Sequence, residues 1–287
     1  MEIIVKEIKV KDYLTKSKIG EYVINSYVGC SHKCRYCYAS FMKRFTSHSE
    51  PWGDFVDVKI CDNPIDTKKL SHKNLFMSSV TDCYNPFEAK YKITRKILER
   101  LTNVDCYLQI ATKNKLILRD LDLLKQMKHL GVAMSVNTLD EKFQRDMDNA
   151  SSITERLETL KTLHDNGIYT ILFMSPIFIG ITNPQAIIEQ TKDYVDEYWF
   201  EVLNLRGSFK YDILNYIKTN YPNIYPTYEE IYIKNNKEKL TQMEKEIVEY
   251  CNKNNICYMD YFHHEEVINN AKNKILGYTN KQTSMFD

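Results

Sequence analysis

The chain has 287 residues, of which 43% are hydrophobic and 27% charged, and its formal net charge is +1. That composition is globular, and the length suits one large α/β domain or two ordinary ones. A balance so near zero excludes a global electrostatic footprint for nucleic acid or a membrane surface, though a local basic patch stays open. The N-terminal stretch MEIIVKEIKVKDYLTKSKIG is charged throughout and lacks a signal-peptide core. Tyr169–Ile181, the most apolar run, is interrupted by Ser175 and Pro176 and is shorter than the ~20 residues of a membrane span. The expected compartment is therefore the reducing cytoplasm, where clustered cysteines read as metal ligands or catalytic groups before disulfides.

In chain order, the first candidate strand is Tyr22–Tyr27, and GCSHKCRYCYAS follows it directly, with Cys30, Cys34 and Cys37 spaced C-x3-C-x2-C. Further candidate strands are Leu75–Val80, Tyr107–Ala111, Val132–Val136, Tyr169–Phe173 and Trp199–Leu203. Between them lie helical patterns over Phe87–Leu101, Leu118–His129, Ile153–His164 and Pro184–Val195. The third ends at Asn166-Gly167, a C-cap, and Pro184 suits a first helical turn. Repeated β-then-α units predict parallel strands with right-handed crossovers. Six units are too few for a closed eight-stranded barrel, so the fold class expected is α/β, an open partial (β/α)6 barrel with chemistry at the C-terminal strand ends. From residue 206 the pattern turns to Tyr-rich helical segments (Tyr211–Asn220, Tyr228–Asn235, Leu240–Asn252), the strand-like ICYMDYF and the charged His263–Glu266. The expected division is a barrel over 1–205, a helical extension over 206–276 and a mobile tail over 277–287.

Three thiolates at such short spacing leave one metal position unfilled. A structural zinc site wants four closed ligands, which His32, Cys61 or Cys83 would have to complete. On a [4Fe–4S] cluster, by contrast, three thiolates hold three irons and leave the fourth open. Cys61, Cys106, Cys251 and Cys257 read as buried apolar residues. Cys83 lies just past a strand end, where packing and function are both open. Asp140 and Glu141 read as the start of a helix, Arg156 as one half of a structural ion pair, and Trp52 and Trp199 as core. Adjacent histidines on a strand point to opposite faces, so His263 and His264 read as solvated or capping groups, with a substrate contact at the strand end as the alternative.

The triad, with Tyr36 just before its third cysteine, resembles the radical S-adenosylmethionine (SAM) superfamily. SSVTDCYNPFEAKY, LQIATKNKLILRDLDLL, MSVNTLD and RLETLKTLHDNGI resemble its spore-photoproduct-lyase-like branch. SFMKRFTSHSEPWGDFVDVK and LNLRGSFK bring the likeness closest to the group called radical SAM mobile pair protein B. The resemblance implies an enzyme with a [4Fe–4S] cluster on Cys30, Cys34 and Cys37, and SAM on its open iron. It further implies SAM contacts from Tyr36, Tyr38, Thr81, Asp82, Lys113 and Ser135. The partners implied are a flavodoxin- or ferredoxin-like reductant and a DNA or nucleotide substrate. The same chemistry on a peptide or protein, and a non-catalytic zinc module, are the alternatives. The lyase's hydrogen-donating cysteine aligns with Ser79, so either Cys83 stands in, or Tyr38 returns the hydrogen, or no donor is needed. Finally, Gln282–Phe286 resembles a bacterial sliding-clamp-binding motif, which would tether the chain to DNA.

Overall fold

The computed structural model describes residues 2–262 except 64 and 206. His263–Glu266, the tail and its clamp-like motif lie outside the described residues. The strands are β1 (Ile4–Lys9), β2 (Leu14–Lys16), β3 (Tyr22–Ile24), β4 (Tyr27–Val28), β5 (Phe55–Ile60), β6 (Asn74–Met77), β7 (Tyr107–Thr112), β8 (His129–Ser135), β9 (Tyr169–Ile177), β10 (Glu197–Val202) and β11 (Tyr258–Asp260). The α-helices are α1 (Glu88–Tyr91), α2 (Ile93–Leu101), α3 (Leu121–Leu124), α4 (Glu141–Met147), α5 (Ile153–Asp165), α6 (Pro184–Thr191), α7 (Lys210–Asn220), α8 (Tyr225–Tyr232) and α9 (Glu238–Lys253).

An eight-stranded sheet runs in the order β11-β10-β9-β8-β7-β6-β3-β2. From β3 to β11 every pairing is parallel, and β2 joins antiparallel at one edge. All six candidate strands are present as β3, β6, β7, β8, β9 and β10. This is the α/β, parallel-sheet fold expected. Period-two alternation separates its faces. Leu108, Ile110, Val132, Leu172 and Phe200 join the main core cluster with Ile97, Leu160 and Ile187 of the helices. Ala133, Ile171 and Trp199 form a second cluster with Phe76, Ala111, Tyr169, Phe173 and Tyr261 on the other face.

Local signals explain the helices that match. Ser152 and Glu155 form a complete capping box on α5, and Gly167 follows it with φ +76°. Asn183 caps α6, and Pro184 opens it. Two helices differ from expectation. Lys92 adopts φ +52° and splits Phe87–Leu101 into α1 and α2. Of Leu118–His129, Leu121–Leu124 is α-helical, because His129 already pairs with Tyr107 in the sheet.

Beyond residue 205, α7 and α8 bring Ile213, Leu214, Ile217 and Tyr228 against Tyr36, Phe143 and Phe178 of the barrel half. The strand-like ICYMDYF of the extension is present as β11, which pairs in parallel with β10 and lengthens the sheet. A small sheet that the sequence reading did not anticipate, β1-β5-β4, lies upstream of β6 and flanks the cysteine loop on both sides in sequence. Among the described residues no helix is long and apolar enough to cross a membrane.

Candidate active site

The three cysteines occupy the turn between β4 and a 3-10 helix, Tyr38–Phe45. Gly29 enters the turn at φ +83°, and a Cβ there would lie 2.3 Å from the Phe55 carbonyl, so the position demands glycine. The loop is then held from several sides. Thr81 Oγ1 donates to the Gly29 carbonyl at 2.6 Å, Arg35 N to Met147 O at 2.9 Å, and Asn149 N to His32 O at 2.7 Å. Lys33 pairs with Asp54 just ahead of β5. Within the loop, Cys37 N donates to Cys34 O at 3.1 Å.

All three thiols are free and half-buried. Burial and the nearby Asp82 push the Cys30 thiol up to about 12. Burial and Asp148 raise Cys34, against the pull of Lys113. Burial also raises Cys37, opposed first by a hydrogen bond from Trp52. Two polar atoms in this loop, Ser31 Oγ and His32 Nδ1, are buried without a partner among the described residues. Leaving such groups unpaired costs about 1–3 kcal/mol each, so the loop is built to receive something that they can contact. Three thiols with orphaned polar atoms beside them fit an iron–sulfur cluster. Among the described residues no three His, Cys, Asp or Glu side chains are gathered as one metal ion requires.

Asp82 ties this loop to the sheet. Its carboxylate meets His32 Nε2 at 3.1 Å and accepts from Thr112 Oγ1 at 2.8 Å, Lys113 N at 2.8 Å and Tyr84 N at 2.9 Å. Burial alone would raise its pKa, but His32 and the hydrogen bonds outweigh that and hold it low. Asp82 and Thr81 thus brace the cysteine loop against the sheet through protein partners.

Lys113 and Ser135 stand at neighbouring strand ends, after β7 and closing β8. Lys113 Nζ lies 3.5 Å from the Ser175 carbonyl and 5.6 Å from the centroid of the Tyr36 ring. Among the described residues it has no carboxylate partner within ion-pair distance, nor does the Ser135 hydroxyl have a hydrogen-bond partner. Tyr36 donates to Asp148 Oδ2 at 3.0 Å, and Asp148 pairs with Arg156, both wholly buried. Arg156 also donates to the Ser135 carbonyl at 3.2 Å and to Ser151 O at 2.7 Å. The ion pair read for Arg156 is present. So is the helix start read for Asp140, which caps α4.

Tyr38 lies at the rim, with its hydroxyl bonded to the carbonyl of Ser79; the Ser79 hydroxyl accepts from Asn25 Nδ2 at 2.9 Å. Cys83 lies in the core. Its side chain is 0% exposed and packs in the main core cluster, with its amide on Ser78 Oγ. The strand has ended at Met77, and the chain has turned inward by Cys83. Cys106 and Cys251 are buried as read, whereas Cys61 and Cys257 are half-buried. The sequence reading missed His32 and Trp52 as neighbours of the cysteines. His32 was weighed only as a zinc ligand, although its place inside the triad was a signal. Trp52 carried none, because its approach to Cys37 depends on the β5 sheet.

The radical SAM superfamily model matches residues 24–190. An uncharacterized protein of Methanocaldococcus jannaschii is 38% identical over 226 residues, which cover 76% of this chain and 84% of that protein. A double mutant of spore photoproduct lyase with bound AdoMet and dinucleoside spore photoproduct superposes with a TM-score of 0.56 at 15% identity, covering 76% of this chain and 66% of the lyase. Streptococcus suis SuiB bound to S-adenosylmethionine superposes with a TM-score of 0.53 at 13% identity, covering 92% of this chain and 53% of SuiB. At those identities the two structures speak for the fold alone. The family model and the archaeal relative carry more: this chain belongs to the radical SAM superfamily, whose enzymes use a [4Fe–4S] cluster and SAM.

Proposed function

We propose that the chain is a spore-photoproduct-lyase-like radical SAM enzyme of the mobile pair B type, acting on a nucleic acid or nucleotide. In this reading Cys30, Cys34 and Cys37 hold the cluster. Bound there, the cluster and SAM would supply a 5′-deoxyadenosyl radical by reductive cleavage of a carbon–sulfur bond. Lys113 meets the carboxylate of SAM with its charge, and Ser135 offers a hydroxyl to the same end. Tyr36, clamped by Asp148 and Arg156, walls that pocket. The observation that carries the reading is that, among the described residues, Lys113 has no ion-pair partner and the Ser135 hydroxyl no hydrogen-bond partner, at adjacent strand ends, with Lys113 close enough to act on Cys34 and Cys37. That is the chemistry an α-amino acid group needs.

In this reading the buried Cys83 packs the core, and Tyr38, on the Ser79 carbonyl, is the candidate hydrogen donor. The electron donor that such enzymes need would be a flavodoxin or ferredoxin. The barrel over 1–205 and the extension over 206–276 would act as one catalytic unit, because the barrel-face cluster containing Tyr36 is completed by α7 and α8.

The test is anaerobic reconstitution followed by reduction with SAM present. About four irons per chain and 5′-deoxyadenosine formation are expected. Deuterium from labelled damaged DNA or nucleotides should then appear in 5′-deoxyadenosine. The structural likeness to SuiB, also solved bound to its precursor peptide SuiA, makes peptides the second arm. Exchange from peptides and none from nucleic acid would sink the substrate assignment.

A further inference from the structure

The 3-10 helix that follows the cysteines, YASFMKRF, exposes its aromatic rings. Tyr38 is 59% exposed, Phe41 45% and Phe45 67%. A 3-10 helix repeats every three residues, so Tyr38, Phe41 and Arg44 form one row. The Arg44 guanidinium lies 5.4 Å from the Phe41 ring centroid and 4.7 Å from that of Phe45. Neither Lys43 nor Arg44 has a carboxylate partner among the described residues, and Lys43 rests on the Ser49 carbonyl. No Asp or Glu occurs between Cys37 and Ser49. Contiguous aromatic rings with unneutralised cations form a surface that a monomer does not need for its own stability.

We infer that the exposed face of this helix is a docking surface for single-stranded nucleic acid, whose bases stack on Phe41 and Phe45 and whose phosphates meet Lys43 and Arg44. The inference rests on the nucleic-acid reading above and extends it. Aromatic platforms beside cations suit single strands, since every base offers a π-face. Phe41 and Phe45, four residues apart, are separated by about 8 Å along the axis at the usual 3-10 rise. That exceeds the roughly 3.4 Å between stacked bases in a duplex strand, so the pair fits bases splayed from a stretched or opened strand. The row ends at Tyr38, whose hydroxyl reaches Ser79 at the mouth. A strand laid along it would therefore deliver a nucleotide to the candidate active site. The patch also answers how a chain of net charge +1 would hold a polyanion, by local charge in place of global charge.

The experiment uses reconstituted holoenzyme and a fluorescent single-stranded oligonucleotide, titrated by anisotropy at several salt concentrations. Two double variants, Phe41→Ala with Phe45→Ala and Lys43→Gln with Arg44→Gln, are compared with wild type after checking equal iron content and circular dichroism. The aromatic pair should weaken binding about tenfold or more with an unchanged salt slope. The basic pair should weaken it and flatten the log–log salt slope by about 1.4, two phosphates at about 0.7 each. Binding that both variants retain in full would overturn the surface and leave the nucleic-acid substrate standing. A wild type that binds no oligonucleotide would overturn the surface, while the deuterium assay judges the substrate separately. Equal binding of duplex, or full competition by an acidic peptide or anionic vesicles, would also overturn it.

Discussion

The hydroxyl of Tyr36 donates to Asp148 at 3.0 Å, and Asp148 in turn neutralises the buried Arg156. A residue inside the cysteine triad is thereby fixed to the end of α4 and to α5, more than a hundred residues downstream in sequence. Burial opposes the charge on Asp148, but Arg156 and Lys113 outweigh it and hold the carboxyl below the usual range. A carboxyl depressed on folding stabilises the native state above its unfolded pKa, about 4. That stability is lost as pH falls through the folded value. Asp148→Asn should leave Arg156 buried and uncompensated, at a cost of about 3–5 kcal/mol. Urea unfolding between pH 2 and 7 should show the variant losing most relative to wild type above pH ~4. A difference independent of pH would show that the charge is not what matters.

Glu197 carries the opposite sign. It is buried, and burial raises its pKa against the hydrogen bonds from Trp199 and Tyr169. A raised carboxyl contributes fully below its unfolded pKa, and that contribution is lost as pH rises through the folded value. Glu197→Gln should therefore gain stability relative to wild type on going from pH 3 to pH 7. A gap that closes in the other direction would mean that the site favours the carboxylate.

Replacing Cys30, Cys34 or Cys37 singly with Ala should leave reconstituted protein with little iron or sulfide. Cys83→Ala should keep a full complement and unchanged products, losing about 1–2 kcal/mol of stability from the core. Full iron and sulfide in Cys34→Ala would defeat the cluster assignment. Altered products in Cys83→Ala would return that thiol to the chemistry despite its burial.

Lys113→Ala should assemble the cluster yet bind SAM about tenfold or more weakly, as expected for one charge-assisted contact of roughly 1.5–3 kcal/mol. Equilibrium dialysis under anaerobic conditions measures this directly. An unaltered dissociation constant would place the ammonium elsewhere.

Gly29→Ala tests the loop's entry. The left-handed backbone costs a non-glycine residue roughly 1–2 kcal/mol, and the added methyl would press on the Phe55 carbonyl. Lower thermal stability together with poor cluster retention is expected. A variant indistinguishable from wild type in both would show that the turn can rearrange.

Much of this was legible before the coordinates. The six barrel strands announce themselves by short β-rich runs, and α5 by Ser152, Glu155 and Gly167. The cysteine spacing marks the site outright. What escaped depends on long-range pairing. Lys92 is an ordinary helix former by propensity, and nothing local marks its left-handed turn. The β5 strand is preceded by EPWGD, which reads as a turn, and its partners β1 and β4 lie on either side of it in space and far off in sequence. The bracing by Asp82 is not legible because its four partners come from the cysteine loop, the end of β7 and its own turn. No single window of sequence contains them.

The seventh parallel strand bears on how the molecule is made. β11 covers the edge of β10, yet it arrives some fifty residues after β10 ends. During synthesis the barrel half would wait with β10 unpaired on its outer side, and an unpaired edge is a template for aggregation. Closing that edge last adds a contact of long sequence separation, which slows folding. A chain truncated after residue 205 would keep every candidate ligand and present the six-residue β10 as the sheet's edge in place of the three-residue β11, a longer template for self-association.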